Sequence, residues 1–424
     1  MVRGLVLFVS VTALPVFGSN VQLLSSLPNG VVSTAMQLDS VGNIYIAGSL
    51  TPPNPQSSQD TTDAFVAKVS ADGSKVLYYT VVSGSSADAA AGIALGSDGS
   101  AYITGSTSST DFPVTPGALE TTFNTAGASQ GFLVKVNPAG MVAYSTYING
   151  TAYTQATGIA IDSAGEVLLT GMGGPGYPVS SGQADQGFIL KLDAGLSKVL
   201  MSIYGYGSGP IALDSQSNIY LAGNAQPNFS AGNTGPVFTL PALPSGAFQS
   251  IYSAVFCTEA SGPGGGFATF CPYQYVAKLD PTGKLLWATY VTGTYGAVAA
   301  GIAVDSAGNV IVAGTTNSND YPVTPGAFQT AYTAAAPQLP SQLGPFNSFI
   351  GPPNSIGYVT KVNSGGGSLA WSTYFGGSFQ DQITGMAVSP AGEIVVSGRA
   401  GSSDLVQRDA TGSRSSRLPV LIVQ

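Results

Sequence analysis

A chain of 424 residues without a single histidine has few ways to relay a proton or sharpen a nucleophile. A Ser–His–Asp arrangement cannot be assembled, and neither can a histidine metal site. Carboxylates remain. Two of them brought together across a sugar linkage suffice for glycoside hydrolysis, so the acids are the first residues to sort. Most recur at equivalent turns: Asp39, Asp162, Asp214 and Asp305 in one kind, Asp193 and Asp280 in another. An Asp heading a turn bonds the backbone a few residues on, which makes these structural. The acids outside such turns are more informative. Asp111-Phe112-Pro113 and Asp320-Tyr321-Pro322 stand in two near-identical segments, each continuing Val-Thr-Pro-Gly-Ala, and Gly176-Tyr177-Pro178 is a shorter echo. An aromatic ring beside an acid can stack on a sugar and bond its hydroxyls. A recurring aromatic flanked by Pro more readily pins a loop against its own repeat, since repeats preserve packing more readily than a site. The ligand-binding candidates are therefore Asp111, Phe112, Asp320, Tyr321 and Tyr177, joined by Asp88 and Asp381 in shorter loops. No catalytic residue is assigned. Such loops leave calcium open as a ligand, but no Asp-rich loop with calcium-ligand spacing supports it, and no cofactor or metal is expected.

One basic position also recurs: Lys68, Lys135, Lys191, Lys278, Lys361 and Arg408. A ring of cations could hold an anion. A repeated ion pair or a snorkelling stem explains it better, because equivalent positions on outer strands diverge from an axis. Net charge is −8 and there is no basic run. That argues against a nucleic-acid partner and against an anionic membrane surface.

The N-terminus reads differently from the rest. Arg3, an apolar stretch over 5–17 and the small residue Gly18 have the pattern of a secretory signal peptide, residues 1–18. It is too short to span a membrane. The mature chain, 19–424, is then exported to the periplasm, the cell surface or the medium, with no membrane insertion. In that setting Cys257 and Cys271, the only cysteines, are expected to form a disulfide. Two free thiols are the alternative.

What positions these residues is a repeat. A phrase at 92–105 (GIALGSDGSAYITG) returns at 158–171 and 301–314, and more weakly at 36–48, 211–223 and 385–398. Each copy is a β-hairpin, two runs of small and β-branched residues around an Asp/Gly turn. A second hairpin phrase follows each copy. Four antiparallel strands, A to D, used six times with no helix between them, are the pattern of a β-propeller. The expected blades are 32–82, 91–148, 157–204, 209–291, 300–375 and 384–424: most simply six, with seven as the alternative. Strand A carries small residues, as an innermost strand must, and strand D carries the bulky aromatics. Every long insertion follows strand B. All of them therefore leave from one face, where binding loops are expected. The ring would close through the strand-like ends 21–27 and 418–424.

The phrases DSAGNVIVAG, STDFPVTPGALE, SNDYPVTPGAFQ, YVAKLDPTG and AWSTYFGG resemble the bacterial SBBP-type β-propeller repeat over nearly the whole mature chain. That resemblance implies a propeller and an exported or cell-surface setting. It carries no established activity and no catalytic residues. The family name implies seven blades where six copies are counted, and the sixth copy is worn, with Ser389 in place of the turn Asp. Residues and resemblance together favour a binding module that engages an extracellular glycan or protein through the loop face, rather than an enzyme. Two alternatives stay open. One is a carbohydrate-active hydrolase or lyase using loop-face carboxylates. The other is a purely structural surface or adhesin module.

Overall fold

The computed structural model describes residues 4–8, 27, 30–51, 62–125, 128–150, 153–173, 187–206, 208–225, 246–250, 256–260, 267–334, 355–389, 392–400, 402 and 421–423. The chain is an all-β propeller of four-stranded antiparallel blades. Strand β1, Gly4–Phe8, comes first in the chain and is placed below. Blade 1 is β2 (Val31–Leu38), β3 (Ile44–Leu50), β4 (Asp63–Val69) and β5 (Val76–Val82). Blade 2 is β6 (Asp88–Leu95), β7 (Ala101–Thr107), β8 (Gln130–Val136) and β9 (Val142–Ile148). Blade 3 is β10 (Thr154–Ile161), β11 (Val167–Gly173), β12 (Gly187–Leu192) and β13 (Val199–Tyr204). Blade 4 is β14 (Ile211–Leu213), β15 (Ile219–Ala225), β18 (Tyr273–Leu279) and β19 (Leu285–Tyr290). Its insertion forms a separate hairpin, β16 (Phe256–Ala260) with β17 (Phe267–Phe270). Blade 5 is β20 (Ala297–Val304), β21 (Val310–Thr316), β22 (Ile356–Val362) and β23 (Leu369–Phe375).

Five blades are thus each built from one copy of the repeat, where six were expected. The sixth copy supplies only two strands, β24 (Asp381–Val388) and β25 (Ile394–Ala400). Its sheet continues through β1 to β26 (Leu421–Val423) at the edge. The worn second phrase of that copy does not supply the third strand. Gly4–Phe8 does, within the segment read as a leader, with Gly4 opposite both Arg399 and Val423. The 21–27 segment, expected to close the ring, falls outside the described residues except for Leu27. The innermost strands nevertheless pack in a closed circuit: β2 on β6, β6 on β10, β10 on β14, β14 on β20, β20 on β24, and β24 back on β2.

Two features of the repeat explain its glycines. Strand A carries a β-bulge, with register shifts such as Ala90/Gly92 and Ala299/Gly301. The bulge pushes a carbonyl toward strand B, so a Cβ on Gly105 would lie 2.0 Å from the Ala89 oxygen. A second glycine faces the next unit: a Cβ on Gly301 would sit 2.6 Å from Cβ of Met386. The core lies between blades. Tyr45 and Val66 of blade 1 pack with Ile93, Ile103 and Phe132 of blade 2. Ile46 and Phe65, also of blade 1, pack with Ala387 and Val395 of the sixth sheet. Each such large side chain contributes about 1.5–3 kcal/mol when fully buried.

Candidate functional site

The face that carries the A–B and C–D turns holds the recurring lysines. Lys68 pairs with Asp39 at 3.5 Å, Lys135 with Asp98 at 2.9 Å and Lys361 with Asp305 at 2.7 Å. Lys191 bridges Asp162 at 3.1 Å and Glu166, and Lys278 reaches Asp214 at 3.6 Å. Each Lys extends from strand C to the Asp of the A–B turn in its own blade. Lys68, Lys135 and Lys278 also lie over the rings of Tyr45, Tyr102 and Tyr220. The same Asp orders its turn: in blade 5, Asp305 Oδ1 accepts the N–H groups of Ala307 and Asn309 at 2.9 Å. Burial disfavours the charge on Asp305, but the bonds from Lys361 and Asn309 outweigh it and hold the carboxyl at about 2. These cations are structural ion pairs. Arg408 lies outside the described residues.

On the loop face the rings follow the loop-pinning reading and not the ligand-binding one. Phe112 and Tyr321, offered as stacking platforms, are only 2% exposed. Phe112 stacks on Phe132 at 4.9 Å and leans on Tyr147 at 6.0 Å. Tyr321 lies 4.5 Å from Tyr358 and shares a hydrogen bond with Thr360 at 3.0 Å. Each ring plugs a slot on its own blade, because a Pro-flanked loop turning back over a sheet must bury its one large apolar side chain. The neighbouring acids clamp the loop that leads into strand A. Asp111 Oδ1 accepts from Ser85 N at 2.8 Å and Ser85 Oγ at 3.0 Å. The Ser85 N–H keeps the Asp111 carboxyl below its ordinary range. Asp320 accepts from Thr294 N at 2.9 Å and Thr294 Oγ1 at 2.6 Å.

Asp88 and Asp381 occupy equivalent first positions of strand A, and both are buried. Asp88 Oδ2 accepts from Gly84 N at 2.7 Å and Ser109 Oγ at 3.0 Å. Asp381 Oδ2 accepts from Gly377 N at 2.6 Å and Ser402 Oγ at 2.7 Å. Burial pushes the Asp88 carboxyl up to about 6 despite its donors, and nearby Asp63 adds to the rise. Each of these four loop-face acids thus accepts a backbone N–H of a D–A loop.

The long insertions are used structurally as well. In blade 2 the insertion runs back along β9, with Thr115 N bonded to Ser145 O at 3.0 Å and Tyr147 N to Glu120 O at 3.2 Å. In blade 5, Thr324 N bonds Ser372 O and Tyr374 N bonds Gln329 O in the same way. Blade 4 repeats this with Tyr290 N on Gln249 O. The phrase Gly-Ala-Phe-Gln at 246–249, matching Gly-Ala-Phe-Gln at 326–329, is the sequence signal of that third copy. These segments cover the outer strands, whose unpaired edges would otherwise invite association.

What stays open on this face is its axis. Strand A alternates buried and partly exposed residues at its loop-face end, as in Thr154, Gln155, Ala156 and Thr157. The less buried set includes Val32, Ala89, Gln155, Val298 and Gln382, and the Gln382 amide donates to Ser355 Oγ of blade 5 at 3.4 Å. The D–A loops that feed these strands carry aromatic side chains. Tyr153 is 44% exposed and Phe379 54%, while Tyr295 and Tyr206 are half-buried. Val298 is 40% exposed beside them in the order of the chain. The Tyr153 hydroxyl donates to Gln155 Oε1 at 2.8 Å, joining ring and amide in one unit. No motif announced this site, because its residues differ from copy to copy.

A second opening lies on blade 3. Phe188, Leu190, Ser202 and Tyr204 line it with Asn149, Gly150 and Thr154. These four blade positions are the ones that Phe112 covers in blade 2 and Tyr321 in blade 5. Tyr177 lies outside the described residues. Cys271 is buried and is not a free thiol. The β16–β17 register brings residues 257 and 271 to the same end of their hairpin, and the Cys257 side chain lies outside the described residues. Among the described residues no cluster of three or more His, Cys, Asp or Glu is placed to hold a metal ion. No described helix is long and apolar enough to cross a membrane.

Residues 286–322 match the family described as SBBP, beta-propeller repeat. The match runs from strand D of blade 4 through strands A and B of blade 5 to Tyr321 and Pro322. No curated protein matches the chain. Among solved structures, a DUF4221 family member from Bacteroides vulgatus is similar at 9% identity and a TM-score of 0.40, covering 92% of this chain and 98% of that one. The Pan2 WD40 domain of Neurospora crassa is similar at 10% identity and 0.38, covering 87% and 90%. A gluconolactonase from Xanthomonas campestris is similar at 10% identity and 0.37, covering 88% and 99%.

Proposed function

We propose that this propeller is an exported interaction module that binds through the axial mouth of its loop face. The observation that carries the reading is the pair of exposed rings there, Tyr153 and Phe379, with the exposed Gln382 and the partly exposed Gln155, on a face where Asp88, Asp111, Asp320 and Asp381 hold loops. Exposed aromatics on a rigid ring of strands offer large contact area at little entropic cost. A hydrolytic reading needs two carboxylates across a cleft. The loop-face acids Asp88, Asp111, Asp320 and Asp381 instead each accept a backbone N–H of a D–A loop, which supports binding over catalysis.

Binding of the full chain to a panel of immobilised extracellular glycans and proteins tests this. Tyr153→Ala with Phe379→Ala should lower affinity at least tenfold, while Val41→Ala with Met141→Ala on the turn face should leave it unchanged. Equal effects of the two pairs, or products released from any bound glycan, would sink the reading. Export is part of the proposal, as is the Cys257–Cys271 disulfide expected in that setting. The N-terminal residue of the secreted product tests it: residue 19 if 1–18 is a leader, residue 1 or 2 if Gly4–Phe8 remains in the sixth sheet.

A further inference from the structure

The outer edge of a blade is finished differently from one blade to the next. In blade 2 the insertion caps two positions of β9, with Thr115 N on Ser145 O and Tyr147 N on Glu120 O. The equivalent Ser372 and Tyr374 of β23 are capped in blade 5, and Tyr290 of β19 in blade 4. All five of these residues are buried. The blade 1 insertion, 52–61, carries neither the Asp-aromatic-Pro motif nor the Gly-Ala-Phe-Gln phrase. Tyr79 and Val81 of β5 are the equivalent positions there. They face Ala67 and Phe65 as Ser145 and Tyr147 face Val134 and Phe132. Among the described residues no backbone group caps them. Leu77 is 50% exposed and Val81 41%. Tyr79 fills the slot of its own blade, its ring stacked on Phe65 at 5.4 Å, where blade 3 has Ser202 and an opening. The β5 edge is thus held in place without a covering segment.

We infer that β5 is an interaction edge whose partner is the same edge of a second copy of this chain, paired antiparallel about a two-fold axis at Tyr79. Backbone groups of alternate residues point the same way along a strand, so Leu77 shares the outward side with Tyr79 and Val81. With Tyr79 opposite Tyr79 of the second copy, Leu77 stands opposite Val81 and Val81 opposite Leu77. Each facing pair exchanges two N–H···O bonds. The two exposed apolar side chains meet apolar partners directly across the axis, the arrangement that stabilises paired strands. Charge permits the pairing as well. Val76–Val82 holds no charged residue, and Lys75 just before it falls opposite Ser83 of the second copy. No like charges meet. An open, apolar, uncharged edge is a template for another strand. This one is its own complement in side chains and charge, whereas a foreign strand would share only the backbone bonds. Two-fold pairing uses the same patch on both copies and closes at two.

The test is sedimentation of the full-length chain over a range of concentrations, with amide hydrogen exchange at the two extremes. A reversible dimer is expected, with slower exchange at Leu77, Tyr79 and Val81 when it forms. Leu77→Lys with Val81→Lys sets lysine against lysine on both sides of the axis and should weaken the dimer roughly a hundredfold or more. Leu77→Lys with Val81→Glu sets lysine against glutamate twice and should restore it at low salt. Both replaced residues are exposed, and thermal melts should show both variants folded. Loss of the dimer in both variants would overturn the two-fold register. A dimer left intact by the double lysine variant would place the interface elsewhere. A monomer at every concentration would overturn the self-pairing. If its Tyr79 and Val81 amides were protected, the edge would belong to a segment of the same chain; if they exchanged freely, it would be left to a foreign strand.

Discussion

The two faces of the disc come from one repeat, and they differ in what is repeated. On the turn face the same Lys returns in five blades and the same Asp in four, with Asp98 standing two residues further on in blade 2, and each pair closes within its own blade. On the loop face the residues entering strand A change from unit to unit: Ser86, Ala152, Tyr295 and Phe379 stand at equivalent places. Repetition marks what every blade needs in order to fold. Departure from repetition marks residues that no blade needs, which are therefore free to serve a ligand. The Asp-aromatic-Pro motif belongs with the first group even though it lies on the second face.

That contrast can be broken most directly at the plugs. Phe112→Ala and Tyr321→Ala each empty a buried ring site and should cost about 3–5 kcal/mol in denaturant unfolding. A loss of glycan binding with unchanged stability would instead return these rings to the ligand. Next comes the bulge glycine. Gly105→Ala places a Cβ against the Ala89 carbonyl and should cost about 3 kcal/mol, with blade 2 opening first by hydrogen exchange.

Asp88 sharpens the comparison through pH. Its carboxyl titrates at about 6 in the folded chain against an ordinary 3.8. Between those values the folded state holds a proton that the unfolded state has released, so stability falls as pH rises through the window. The shift amounts to about 3 kcal/mol. Asp88→Asn carries no charge and should flatten the slope there; an unchanged slope would place the titration elsewhere. Asp305 on the turn face runs the other way. Held at about 2, it stabilises the fold above 3.8 and loses that contribution as pH falls through its own value. Smaller still is the loss of one turn-face pair. Lys361→Met should cost less than about 1 kcal/mol, because the pair is partly solvated. Smallest is the effect of Tyr153→Ala or Phe379→Ala on stability, within about 0.5 kcal/mol, since exposed residues contribute little to the folded state. A large destabilisation by either would move the mouth residues into the structural class.

Much of the fold was legible in the sequence because it depends on local chemistry. Alternating small and β-branched runs, an Asp that closes its own turn and a glycine opposite each strand-A bulge act within a dozen residues. Six copies repeat those signals until a propeller is the simplest arrangement that buries them. That the recurring Lys serves the fold was legible for the same reason, while its partner, the A–B turn acid of its own blade, came only with the structure. What the sequence could not reveal depends on contacts made across the chain. That Gly4–Phe8 enters the sixth sheet is decided by strand pairing over nearly the full length of the chain, where no local motif operates. Phe112 and Asp111 look like a binding pair in sequence, yet their fate depends on a slot formed by β8 and β9 and on the position of Ser85. The axial mouth is assembled from single residues on separate D–A loops, and only closure of the ring brings those loops to one axis.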